Sequence, residues 1–374
     1  MKPRNWHIIS IVLGVSSVLL RGMLTPQQIE TWYSQKVFLF IRKAFDLFNS
    51  ILPFALIYIL LPILLFWLIR SVRKLLKKKI SGFHKMVHFL YSTIAVGGVV
   101  VFLYMLLFGF NYGRQPIETH LELELDGLIA EQVNEEFELA TALLIQANAE
   151  LEPAYKDSVA SMTQTSAFTK TLVEELNDIL EQFDYPHQAR PNMRYLQPKG
   201  VLLRFGTSGV YLPFTGEPHA DSGLHPLQIA FTSSHELAHA HGFGDEGTCN
   251  FLAYVATINS NDAFIRYAGH YRYWRYVARQ RFRGGPDSYI AFVETLPQSI
   301  QQDLEDVRAE MQKYPDFLPR TMRDATYNAY LRGQGITEGM ENYNRVVVLV
   351  VNFRDNGGLG AVDEDDTHFT RESR

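Results

Sequence analysis

The stretch Thr232-Ser233-Ser234-His235-Glu236-Leu237-Ala238-His239-Ala240-His241-Gly242-Phe243-Gly244-Asp245-Glu246 decides how this 374-residue chain is read. It contains H-E-x-x-H. Residues four apart share one face of a helix, so the imidazoles of His235 and His239 can reach one metal ion. Glu236 projects beside them, placed as the general base toward a water that the metal activates. Zn2+ is the expected ion, and a catalytic zinc keeps three protein ligands and one open position. A third ligand is therefore required nearby. Leu237 and Ala238 between the histidines are what a helix packed on one side needs. Five residues also match by chance on buried helices, so the neighbouring sequence has to carry part of the reading.

Working outward, Pro226 suits the first turn of the motif helix, and Gly242 and Gly244 stop it. A second helix is predicted over 246–258, with Phe251, Leu252, Val255 and Ile258 on its buried side. Two patterns compete for the third ligand. Read as H-E-x-x-H-x-x-G-x-x-D, the ligand is Asp245, with Gly242 permitting the turn. Read the other way, the ligand is Glu246 and Asp245 caps the second helix. The second pattern has more behind it. Asn250 follows Glu246 by one turn, where its amide can orient a ligand histidine. The stripe of Phe251, Val255 and Ile258 aims the helix's first turn inward, and no later segment resembles a Met-turn.

Before the motif, 200–205 and 209–214 alternate as the two strands of a hairpin would, with the latter an edge strand ahead of the metal helix. Helices are predicted over 121–150, 157–183, 262–282, 298–313, 321–332 and 338–353, and the segment 361–374 reads as a disordered tail. The fold class is α+β, mostly helical with a small sheet. The helix over 266–283 carries an ordinary core stripe (Tyr267, Tyr271, Trp274, Ala278) and a solvated one (Arg272, Arg275, Arg279). His241, His219 and His225 are expected off the metal site. Glu217 reads as a turn residue and Tyr343 as a packed tyrosine, with an oxyanion-stabilising hydroxyl as its alternative role.

The N-terminal third differs in kind. Residues 1–110 carry 13 basic side chains against only Glu30 and Asp46, while the remainder carries 22 against 38 acidic ones. An acidic domain is a poor fit to nucleic acid. Cys249 is the only cysteine, which excludes an intrachain disulfide framework and a thiolate-rich metal site. Three apolar runs, 8–20, 51–69 and 87–110, predict three membrane spans at roughly 20 residues per crossing. The stretch 32–48 alternates aromatic and basic residues and suits an interface. The basic residues of 70–85 have no acid among them and predict a cytoplasmic loop. The domains expected are thus a membrane anchor over 1–110 and an extracytoplasmic domain over 111–360.

The run His235 to Tyr254, with Asn111-Tyr112-Gly113-Arg114, Pro213-Phe214-Thr215-Gly216-Glu217, Tyr330-Leu331, Gly339 and Tyr343, resembles an uncharacterised bacterial family of three-span membrane proteins with a predicted zinc peptidase domain. The resemblance covers nearly the whole chain. More distantly, the motif is similar to ImmA/IrrE-type peptidases, in which H-E-x-x-H is followed by E-x-E-A-N. Glu246 and Asn250 match that pattern and Thr248 stands in place of the second acid. The resemblance implies a zincin-like metallopeptidase acting on a peptide or envelope protein. A site-2-type intramembrane protease fits less well, because Gln228, Thr232, Ser233 and Ser234 make the motif helix too polar for a span. A catalytically silent peptide-binding domain is the reading from another class, and retention of Glu236 speaks against it.

Overall fold

The computed structural model describes residues 5–77, 81–125, 127–151, 155–283 and 285–359. It divides into two compact units. The first takes in Met1–Gln115 and Leu212–Glu217, and the second Pro116–Tyr211 and Pro218–Arg374. The expected tail at 361–374 lies outside the described residues.

The first unit is built on helices Asn5–Met23 and Gly82–Leu107, the two among the described residues that are long and apolar enough to cross a membrane. The first buries only His7, Ser10, Gly14 and Ser17 and turns Ile8, Ile9, Val12, Val15, Val18 and Leu19 outward. Its buried stripe lies against the second helix, where a Cβ on Gly14 would come within 2.6 Å of the Gly98 carbonyl oxygen. Small residues on the inside and large apolar ones outside invert the pattern of a water-soluble helix pair. His7 lies beside Ser92, and Gly14 beside Gly98, so the two helices run parallel.

Two such helices are found where the sequence predicted three. The apolar run 51–69 becomes helical only from Ile57, after Pro53, and the helix Ile57–Leu76 carries Arg70, Arg73 and Lys74 in its last turns. Between these elements, Ile29–Phe38 is π-helical and Leu39–Ser50 α-helical. The loop Leu212–Glu217 is held within this unit: Arg42 donates to the Gly216 carbonyl, Asn49 to that of Thr215, and Glu217 accepts from the Leu56 amide. Glu217 thus anchors backbone rather than only shaping its own turn.

The second unit is mostly helical around one core, with a three-stranded sheet: β1 (Arg194–Leu196), β2 (Gly209–Leu212) and β3 (Glu217–Asp221), ordered β1-β3-β2. β1 pairs parallel with β3, Tyr195 opposite Ala220. The hairpin partner therefore differs from expectation. Residues 203–205 form a 3-10 turn, and β2 lies beside β3 across a turn closed by Gly216 at φ +64°. The cause is Asp221: its carboxylate accepts from the amides of Gly200, Leu202, Leu203 and Gly223, which folds 200–203 into a loop.

Other boundaries move as well. The helix expected over 157–183 breaks at Gln164 (φ +69°), and Thr165 caps a new one, Ser166–Gln182. The helix expected from 121 starts at Ala130, and that expected from 338 begins as a 3-10 turn before Arg345–Asp355. The helix Ala263–Arg281 buries Tyr267, Tyr271, Trp274 and Ala278, together with Tyr273 and Tyr276. Tyr273 donates to Glu136, which is also paired with Arg354, so the buried carboxylate is not left uncompensated.

Candidate metal centre

The motif helix, Pro226–Ala240, starts on a His225 cap with Pro226 in its first turn, and nearly every residue from Leu227 onward is buried. It ends at Ala240, and two residues on Gly242, whose φ of +90° suits glycine, reverses the chain. That reversal has a chemical consequence. It brings the carbonyl of Phe243 back to within 2.7 Å of His239 Nδ1. The next helix, Glu246–Ile258, is capped by Asp245, which accepts from the Thr248 amide and hydroxyl. Asn342 locks this start, donating to Asp245 and accepting from the Gly247 amide. The helix is buried on every side through Thr257, and not on one stripe alone.

These elements bring His235, His239 and Glu246 together, with ligand-capable atoms within 4.8 Å of one another, as a group able to hold a metal ion. Nε2 of His235 lies 3.1 Å from Glu246 Oε2, and Nε2 of His239 lies 3.5 Å from the same oxygen. Two atoms bound to one ion at about 2.0–2.1 Å in tetrahedral geometry sit about 3.3 Å apart. Glu246 Oε2 is buried yet makes no hydrogen bond of acceptable geometry. The three atoms thus stand at the spacing that ligands of one ion would have.

The tautomers follow from the partners. His235 Nδ1 is 2.9 Å from Asn250 Oδ1, and the amide's orientation is fixed because its nitrogen donates to the Tyr343 carbonyl. An amide oxygen and a backbone carbonyl can only accept, so both histidines carry their proton on Nδ1. Nε2 of each ring then faces the point where Glu246 Oε2 converges, and can give its lone pair to a metal that takes the place of a proton there. Burial lowers the affinity of His235 for a second proton. Burial also works against ionisation of both Glu246 and His239, but the two face each other: Cys249 and the Glu246 carboxylate push His239 up, and His239 with His235 holds the Glu246 carboxyl well below the usual carboxylate range.

Glu236 is buried beside the cluster, and its Oε2 likewise has no hydrogen-bond partner. Burial pushes its carboxyl up to about 8, against the opposing field of His239. A cation at the cluster would favour its charged form. Gly209, the first residue of β2, lies against this side chain: a Cβ there would come within 2.7 Å of Glu236 Cγ and 2.8 Å of Cδ. The edge strand therefore begins next to Glu236 because residue 209 has no side chain.

Asp245 does not face the cluster. Beyond its capping bonds it pairs with Arg345. His241 points away as well, bonded to the Leu237 carbonyl and to Asn177, and His219 approaches the Val210 carbonyl. The C-terminal segment adds two tyrosines. The Tyr327 hydroxyl donates to Glu246 Oε1 over 3.0 Å and lies 2.7 Å from the Tyr343 hydroxyl, while the Tyr343 ring stacks on His235. The sequence offered no sign of Tyr327, which sits among polar residues on the helix Arg320–Gly333.

No curated protein and no solved structure matches the chain. One family model, described as Protein of unknown function (DUF3810), matches residues 33–351 and so takes in the whole cluster with the tyrosines around it. On that match, over most of its length, the chain belongs to the DUF3810 family.

Proposed function

We propose that this protein is a membrane-anchored zinc peptidase of the zincin type, distantly akin to the ImmA/IrrE peptidases, cleaving peptides or envelope proteins outside the bacterial cytoplasmic membrane. The carrying observation is the convergence of two Nε2 atoms and the orphaned Oε2 of Glu246 beside a buried glutamate with an orphaned oxygen of its own. Two neutral imidazoles and one carboxylate suit zinc, and fewer than four protein donors leave a position open for chemistry. Bound there, zinc supplies Lewis acidity toward a scissile carbonyl and lowers the pKa of water toward neutrality. Glu236 takes the proton of the attacking water and passes it to the leaving amine nitrogen as the C–N bond breaks. Asn250 and the Phe243 carbonyl keep both imidazoles in the ligating tautomer. β2 lies at an edge of the sheet, so an extended peptide can pair with its backbone next to Glu236. The test is cleavage of unfolded protein by the purified full chain in detergent. Chelation should abolish cleavage and added zinc restore it, whereas cleavage indifferent to chelation would contradict a metal-dependent mechanism.

The anchor reading rests on the inverted helix pair. Two parallel helices can both cross one bilayer only if the chain between them crosses back. The helix Ile57–Leu76 is the candidate for that return: its 20 residues span about 30 Å, and its terminal Arg70, Arg73 and Lys74 can reach the interface. Residues 70–85 and the N-terminus then share the cytoplasmic side, as their basic charge favours, and the chain after Leu107 emerges on the other. Reporter fusions at residues 80 and 120 should give opposite compartments, the first cytoplasmic. The same compartment for both would mean that Gly82–Leu107 does not cross, and residue 80 outside the cytoplasm would remove the return crossing.

A further inference from the structure

Glu246 has two oxygens in two different situations. Oε2 faces the Nε2 atoms of His235 and His239 without a hydrogen bond, while Oε1 accepts from the Tyr327 hydroxyl. A tyrosine has one proton to donate. If Tyr327 gives it to a carboxylate, the 2.7 Å contact with Tyr343 must be made by the Tyr343 proton. The direction of the chain is therefore fixed: Tyr343 donates to Tyr327, and Tyr327 to Glu246. Such a chain is cooperative, because each donation polarises the next hydroxyl. It also commits the Tyr343 proton, which leaves that hydroxyl unable to donate to a reacting oxyanion while the chain is intact.

We propose that Tyr327, backed by Tyr343, is the positioning residue that makes Glu246 a one-oxygen metal ligand, occupying Oε1 so that Oε2 alone is offered to the ion. This rests on the zinc reading above and adds to it the group that sets how the carboxylate binds. The tyrosines come from the segment 320–344, outside the two helices that carry the ligands, so the C-terminal part of the chain completes a site begun by the motif. Removing the Tyr327 hydroxyl frees Oε1, which can swing toward the ion as a second donor or let the carboxylate rotate away. Removing the Tyr343 hydroxyl leaves the bond to Glu246 in place and only weakens it.

The experiment uses the full chain in detergent, stripped of metal, with zinc affinity measured by competition against a chromophoric chelator and the visible spectrum recorded after loading with Co2+. Tyr327→Phe should weaken zinc binding by about 10–100-fold, the range found when a group holding a metal ligand is lost, and should change the cobalt bands. Tyr343→Phe should have a smaller effect in the same direction. The double variant should exceed Tyr327→Phe alone by less than the effect of Tyr343→Phe on its own, because Tyr343 acts mainly through Tyr327 while its hydroxyl also lies within reach of Glu246. Melting of the metal-free protein separates this role from a merely structural one, which would lower the melting temperature without moving the cobalt bands. Zinc affinity for Tyr327→Phe within about twofold of wild type, or effects of the two substitutions that multiply, would overturn the proposal while leaving the zinc site standing. A wild-type chain that binds no zinc would instead remove the reading on which it rests.

Discussion

Glu236→Gln is expected to retain zinc at the wild-type level and to lose peptide cleavage by about 10²–10⁴-fold, the usual contribution of a positioned general base. The substitution keeps the size and burial of the side chain and removes its capacity to take a proton. The ligands are untouched, because Glu236 lies beside the convergent atoms and is not one of them. The amide nitrogen also meets the region where Gly209 approaches the carboxylate, and the absence of a side chain there lets it settle without moving β2. Cleavage kinetics and metal content measured on the same sample check both halves. Full activity in Glu236→Gln would mean that some other group handles the proton.

His235→Ala and His239→Ala are each expected to lose nearly all bound zinc, with activity lost in consequence. Two remaining donors compete poorly with water for the ion, and each substitution also takes one hydrogen bond from the partner that orients the ring. Asn250 loses its acceptor role toward His235, and the Phe243 carbonyl loses the His239 N–H. Each acceptor keeps a second donor, the Tyr276 hydroxyl for Asn250 and the Cys249 thiol for Phe243, so the lost bond costs only about 0.5–1.5 kcal/mol, and a modestly lower melting temperature should accompany the metal loss. Zinc content after dialysis against a weak chelator reports this, and retention of a full equivalent in either variant would exclude that histidine from the ligand set.

What the sequence disclosed follows the range of the contacts involved. The motif helix and its successor were legible because local residues specify them: Pro226 starts one, Gly242 at positive φ ends it, and Asp245 caps the next. The i, i+4 spacing of the histidines is likewise a property of one helix. Failures came where a distant residue decides. Asp221 pulls 200–203 away from the expected strand by taking four backbone amides, and nothing within 200–205 announces it. Tyr327 reaches Glu246 across 81 positions of sequence, and Gly209 reads as an ordinary turn-end glycine until Glu236 is found against it. The run 51–69 was read by hydropathy alone, which overlooks the late helix start at Ile57.

The central claim is that His235, His239 and Glu246 hold one catalytic zinc, and the choice between adjacent acids tests it most directly. Elemental analysis of the purified full chain should find about one zinc in wild type, the stoichiometry of a single three-ligand site. Glu246→Ala should be nearly metal-free, because it removes the oxygen on which both Nε2 atoms converge. Asp245→Asn should keep its zinc, since asparagine caps a helix about as well as aspartate and this side chain is turned to Thr248, Asn342 and Arg345. Metal lost from Asp245→Asn and retained by Glu246→Ala would contradict the account.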